Sequence, residues 1–199
     1  AGSRAGLTLV ALLAIGTGLF ATEYMEFYGV PLFARAEEVL RILTPALNSY
    51  KTQWIIIPLL IIFYASELVW RERDTAINEL YDTAPVSETA AFLGKFLGLA
   101  LVIAVWTVFL IGAGLINQLV MGYYNFEVLV FMKALFGFQF INYLLFAWLI
   151  FMIHILVNHK YLGLLLGMGA YGFILFSSTL GIEHKMLIYA SDTGWSYSD

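Results

Sequence analysis

Residues Trp54 to Ser66, WIIIPLLIIFYAS, run without a break into Glu67 to Ser87, ELVWRERDTAINELYDTAPVS. The first piece is uncharged and apolar enough for hydrocarbon, whereas the second sets acids and bases along a helical pattern. The first run is short and carries Pro58, so it is expected to continue as helix into the charged stretch. Ile77, Leu80, Tyr81 and Ala84 fall at i, i+3, i+4 and i+7, and Glu72, Thr75, Glu79 and Asp82 line the opposite side. A short helix with one greasy and one acidic face is predicted, stopped by Pro85. Ser87 then reads as the N-cap of the next helix, with Glu88 in its first turn, where a carboxylate meets the positive end of the dipole.

The composition around this stretch sets the solvent. Of 199 residues 61% are hydrophobic and 12% charged, and the mean hydropathy is +0.85, far from the balance of a soluble domain. An integral membrane protein is implied. With no cysteine, disulfides, zinc thiolate sites and thiol catalysis are excluded. The net charge of -4 is spread over loops and argues against nucleic acid as a partner.

A helix crosses the hydrocarbon in about 20 residues at about 1.5 Å per residue. Apolar runs near 5–21, 54–69, 90–119, 129–157 and 161–180 meet or approach that length, so about five transmembrane helices are expected. The runs at 90–119 and 129–157 are long enough to tilt or to project beyond the bilayer. Arg4 ahead of the first run, and the small residues of LFAT at its end, also fit a signal peptide, but a retained span is preferred for its length. The expected fold is all-α and integral to the membrane, a single transmembrane domain over residues 1–199.

Between the first two runs Leu32, Ala36, Val39, Leu40, Leu43 and Leu47 recur at helical spacing, with Arg35, Glu37, Glu38 and Arg41 opposite. An amphipathic helix lying in the membrane interface is expected. Thr44-Pro45 should end or kink it, because a residue before proline is pushed away from α geometry. The later connections are short: GYYNFE after the third run and NHK after the fourth. Lysine and arginine do not orient the chain. Arg4, Arg71, Arg73, Lys95 and Lys160 would lie on one side, against Arg35, Arg41, Lys51, Lys133 and Lys185 on the other.

Enzyme signatures are missing from the sequence. Gly94-Lys95 is followed by Phe96, so there is no phosphate-cradling loop, and neither HExxH nor G-x-S-x-G occurs. His154 and His159, five apart near one membrane face, could ligate haem or chlorophyll, or could serve helix packing. Glu67 precedes Arg71 by one turn in the favourable order for a local ion pair; a contact with another helix or subunit is the alternative. Glu67, Lys95 and Lys133 fall near span ends, where snorkelling lowers the cost of a charge. Gln139 and Asn142, three apart, can bond a neighbouring span or line a substrate path. Asn117 and Gln118 are the other deep polar groups. Gly94/Gly98 and Gly163/Gly167 have the spacing that allows close helix approach.

The segment ELVWRERDTAINELYDTAPVS resembles the stretch after the second span of ABC-2 type transporter permeases, where a Glu-x-x-x-Arg-Glu-Arg pattern leads to a short helix and a Pro-Val-Ser or Pro-Val-Pro elbow. The match lies on Glu67, Arg71, Glu72, Arg73, Asp74, Asn78, Glu79, Asp82 and Pro85. The resemblance implies a cytoplasmic coupling helix that rests on a separate ABC ATPase subunit. Residues 71–89 would then be cytoplasmic, and 24–53 and the tail external. Ile77, Leu80, Tyr81 and Ala84 would seat against the ATPase or the bilayer, and Glu72, Glu79 and Asp82 would meet basic groups.

The tail SDTGWSYSD at 191–199 is similar to an external loop of bacterial permeases fused to an M1-type aminopeptidase. On that resemblance a sixth span, the second permease half and any peptidase domain lie outside these residues. The implied function is that of a non-enzymatic permease domain of an ABC-2 exporter in the bacterial inner membrane. It would bind no cofactor of its own, ATP being held by the partner, and would work with a second permease half among membrane lipids. A structural subunit of a larger membrane complex, and the anchor of a fused aminopeptidase, are the alternatives.

Overall fold

The computed structural model describes residues 26–27, 30–31, 35–45, 47, 52–74, 88–157 and 159–177, with Leu12 and Gly16. The first apolar run, near 5–21, therefore lies almost wholly outside the described residues. Apart from a two-residue antiparallel pair, β1 (Glu26–Phe27) with β2 (Val30–Pro31), every described element is helical. The helices are α1 (Ala36–Leu43), α2 (Thr52–Asp74), α3 (Glu88–Val120), α4 (Val128–Ala134), a π-helical turn Leu135–Gln139, α5 (Phe140–Val157) and α6 (Lys160–Leu175). Contacts divide the chain into two compact units, one formed from Ala1–Pro45 and Val102–Ile141, the other from Ala46–Leu101 and Asn142–Asp199.

The first unit is organised by α1. Its N-cap Arg35 is extended, Glu37 and Glu38 occupy the first turn and Arg41 the last, so the charges complement the helix dipole. Thr44 closes the helix as expected, its Oγ1 donating to the Leu40 carbonyl at 2.7 Å. The apolar stripe is not left to the membrane interface. Ala36, Val39 and Leu43 are fully buried, and α1 packs on α4. Gly114 of α3 makes room for this packing, because a side chain there would run into Phe131 at 2.7 Å and Leu43 at 2.9 Å. Protein, rather than headgroups, covers the face.

Helix α3 is 33 residues long and ends in a Schellman motif: Tyr123 N–H donates to the Gln118 carbonyl and Gly122 N–H to that of Leu119. The motif requires a left-handed residue, supplied by Gly122 at φ 75°. The fourth expected span is one apolar stretch, Val128–Val157, interrupted by the π turn. Within this turn Gln139 is buried, and its Nε2 donates to the Pro45 carbonyl at 3.2 Å. Gln139 thus serves packing, satisfying the backbone just past the end of α1.

In the second unit α2 packs along α6. Phe92 and Phe96 of α3 meet Trp148 and Phe151 of α5 edge to face, at ring separations of 5.3–5.9 Å. Gly167 of α6 lies against Ile62 of α2 and Ile150 of α5, at 3.3 and 3.5 Å from where a β-carbon would stand. Two stretches, Thr89–Val120 and Val128–Val157, are long and apolar enough to cross a membrane. Helix α6 is apolar but stops at Leu175 rather than Leu180, with Phe176 and Ser177 in a turn. Ser177 Oγ donates to the Ile174 carbonyl at 2.8 Å, a local bond that competes with continuing the ladder.

Candidate functional site

The charged end of α2 is the site the sequence singles out. The helix runs unbroken from Thr52 to Asp74 with Pro58 inside it, so the apolar segment does pass as helix into Arg71, Glu72, Arg73 and Asp74. The proline forfeits one ladder bond near the start of the helix and leaves the charged end intact. Of the residues assigned to coupling, Glu67 is partly exposed and Arg71 exposed, and Glu72, Arg73 and Asp74 have helical backbone. Ile77, Glu79, Leu80, Tyr81, Asp82 and Pro85, and with them the expected short helix and its elbow, lie outside the described residues.

One turn inside this end, α2 is joined to α5 and α6. Trp70 is buried and its indole Nε1 donates to Nδ1 of His154 on α5 at 3.3 Å. Accepting at Nδ1 leaves the ring proton on Nε2. The His154 ring lies directly on Gly163 of α6, where a β-carbon would collide with it. Glu67 faces Lys160, the first residue of α6, with Oε2 and Nζ 3.6 Å apart. A cross-helix partner for Glu67 is therefore present. His159 caps α6, its Nδ1 accepting the Leu162 N–H at 3.4 Å.

Both histidines thus have packing or capping roles. Among the described residues of α2 and α5, His154 Nε2 and Ser66 Oγ are buried without a partner, each at a cost of roughly 1–3 kcal/mol.

The relative weights of these contacts follow from burial. The Trp70–His154 bond is buried and contributes on the order of 1 kcal/mol net. The Glu67–Lys160 pair keeps 46% and 28% of its side chains exposed and is worth at most about 1 kcal/mol. The apolar seam of Ile62, Gly167 and Ile150 carries more, so the polar contacts fix the register of helices held together by packing. Periodicity singled out Glu67 and the Gly163/Gly167 pair but not Trp70 or Lys160. Their partners are 84 and 93 positions away in the chain, respectively His154 and Glu67, and a local pattern carries no trace of them.

Two helical stretches are long and apolar enough to cross a membrane, and α2 carries an apolar segment into a charged end without a break. A family model described as ABC-2 family transporter protein matches residues 4–178, and the chain belongs to that family. No curated protein and no solved structure matches it significantly. Membership makes it an integral membrane protein with the membrane domain of a transporter.

Proposed function

We propose that the chain is the membrane permease domain of an ABC-2 exporter, without catalytic activity of its own, driven by ATP hydrolysis on a separate ATPase subunit. About five spans, a second permease half and a location in the bacterial inner membrane complete this reading. The observation that carries it is the unbroken helix Thr52–Asp74, which links an apolar segment rigidly to a charged stretch that can be gripped from outside the bilayer. Closure of the ATPase would displace residues 71–85, and the helix would carry the displacement to Trp70 and inward. Ile77, Leu80 and Tyr81 supply the apolar anchor, and Glu72, Glu79 and Asp82 the acidic rim, a division common to docking surfaces.

The test is reconstitution with the ATPase subunit. Ile77→Asp with Leu80→Asp should reduce permease-stimulated ATP hydrolysis by about tenfold or more, since losing two apolar anchors removes upwards of about 1.4 kcal/mol of docking. Stimulation equal to that of the unaltered chain would end the proposal.

A further inference from the structure

Contacts between α2 and the α5–α6 hairpin concentrate where the charged stretch begins. Trp70 Nε1 donates to His154 Nδ1 at 3.3 Å, Glu67 meets Lys160 at 3.6 Å, and Gly163 admits the His154 ring. Two turns deeper Gly167 accepts Ile62 and Ile150. The residues come from three helices and include both kinds of constraint a joint needs. The buried indole–imidazole bond fixes direction, while Gly163 brings α6 onto His154 of α5 and Gly167 brings it onto Ile62 of α2 and Ile150 of α5. A side chain at Gly163 would collide with the His154 ring, and one at Gly167 would crowd Ile62 and Ile150, so either would push these contacts apart.

We propose that Trp70, His154 and Gly163, with the Glu67–Lys160 pair, form a clasp that makes α2, α5 and α6 move as one rigid body when the stretch after α2 is displaced. Resting on the permease reading given above, this makes Trp70 and His154 positioning residues for coupling. A push on residues 71–85 then moves three helices instead of bending one, and the displacement reaches the hairpin without loss at the α2–α6 contact. Shear between packed helices, the alternative way to absorb such a push, is blocked at the point where the push arrives.

The absence of cysteine allows paired labels without background. Phe63 on α2 and Leu165 on α6 are exposed, lie outside the clasp, and can carry nitroxides as Phe63→Cys and Leu165→Cys in the complex with the ATPase. Trapping the complex with ATP and vanadate should leave the distance distribution between the labels unchanged. With Trp70→Phe and Glu67→Gln, which keep an aromatic ring and the side-chain length while removing the indole N–H and the charge, trapping should shift or broaden it by on the order of 2 Å. The exchange Glu67→Lys with Lys160→Glu, made in the Trp70-containing chain, should restore invariance where Glu67→Lys alone loses it.

Asn78→Cys, introduced in parallel chains that lack the two label sites, reports engagement of the ATPase through protection of its thiol. Protection together with a distance change in the unaltered clasp, or with none in the double variant, overturns the clasp alone. Loss of protection overturns the coupling reading and the clasp with it.

Discussion

At Gly163 the missing side chain is what lets the α6 backbone lie on the His154 ring, so Gly163→Ala forces the ring or the helix to move. The expected cost is about 1–3 kcal/mol, typical of overpacking a close contact, read as a lower Tm in detergent. Gly98 provides the control, because a β-carbon there meets nothing within 4 Å. Gly98→Ala should be neutral or stabilising by up to about 1 kcal/mol through helix propensity. The two pairs, Gly94/Gly98 and Gly163/Gly167, look alike in sequence, since four-residue spacing records only that a helix has a small-residue face. Whether another helix uses that face depends on partners such as Ile62 and Ile150, far away in the chain.

Among the elements, α1 was readable in its character and its end. Its stripe and charges and the break at Thr44-Pro45 are all local signals, and within the stretch Leu32–Leu47 that they mark the helix occupies Ala36–Leu43, with Leu47 in a turn beyond it. The environment of the stripe was not readable, because lipid and a protein core make the same demand on Val39 and Leu43. The seat is built from Gly114 and Phe131, and Phe131 is itself fully buried. Phe131→Ala should therefore destabilise the first unit by about 3–5 kcal/mol, with α1 becoming accessible to protease before the other helices do. The end of α6 went unread for a related reason: an apolar count runs on past Leu175, while the Ser177 hydroxyl competes for the backbone there.

Continuity of α2 is what the proposed transmission requires. Inserting two glycines between Arg71 and Glu72 lowers local helicity by about 1 kcal/mol per residue and leaves Trp70 and its contacts in place. The Tm should change little while stimulation of the ATPase is lost. A large fall in Tm with stimulation retained would show that the end of α2 stabilises the fold and transmits nothing.

For the whole molecule, the Glu67–Lys160 contact supplies a constraint that the tied lysine and arginine counts could not. It places the end of α2 and the start of α6 at the same membrane face, because two side chains 3.6 Å apart cannot lie on opposite sides of a hydrocarbon layer about 30 Å thick. Glu67, Arg71 and Lys160 therefore share a face, which the proposed ABC-2 exporter reading would make cytoplasmic. The turn between α3 and α4 should then be external, as α3 at 33 residues is about 50 Å long and ample to cross. A chain without cysteine allows this to be tested with single labels. Asn78→Cys should react with a membrane-impermeant maleimide only after cells are permeabilised. Tyr124→Cys, 73% exposed in that turn, should react in intact cells. Labelling of Asn78→Cys from outside would put the charged stretch beyond the reach of any ATP-driven partner, and a Tyr124→Cys that reacts only after permeabilisation would mean that α3 returns to the face it left.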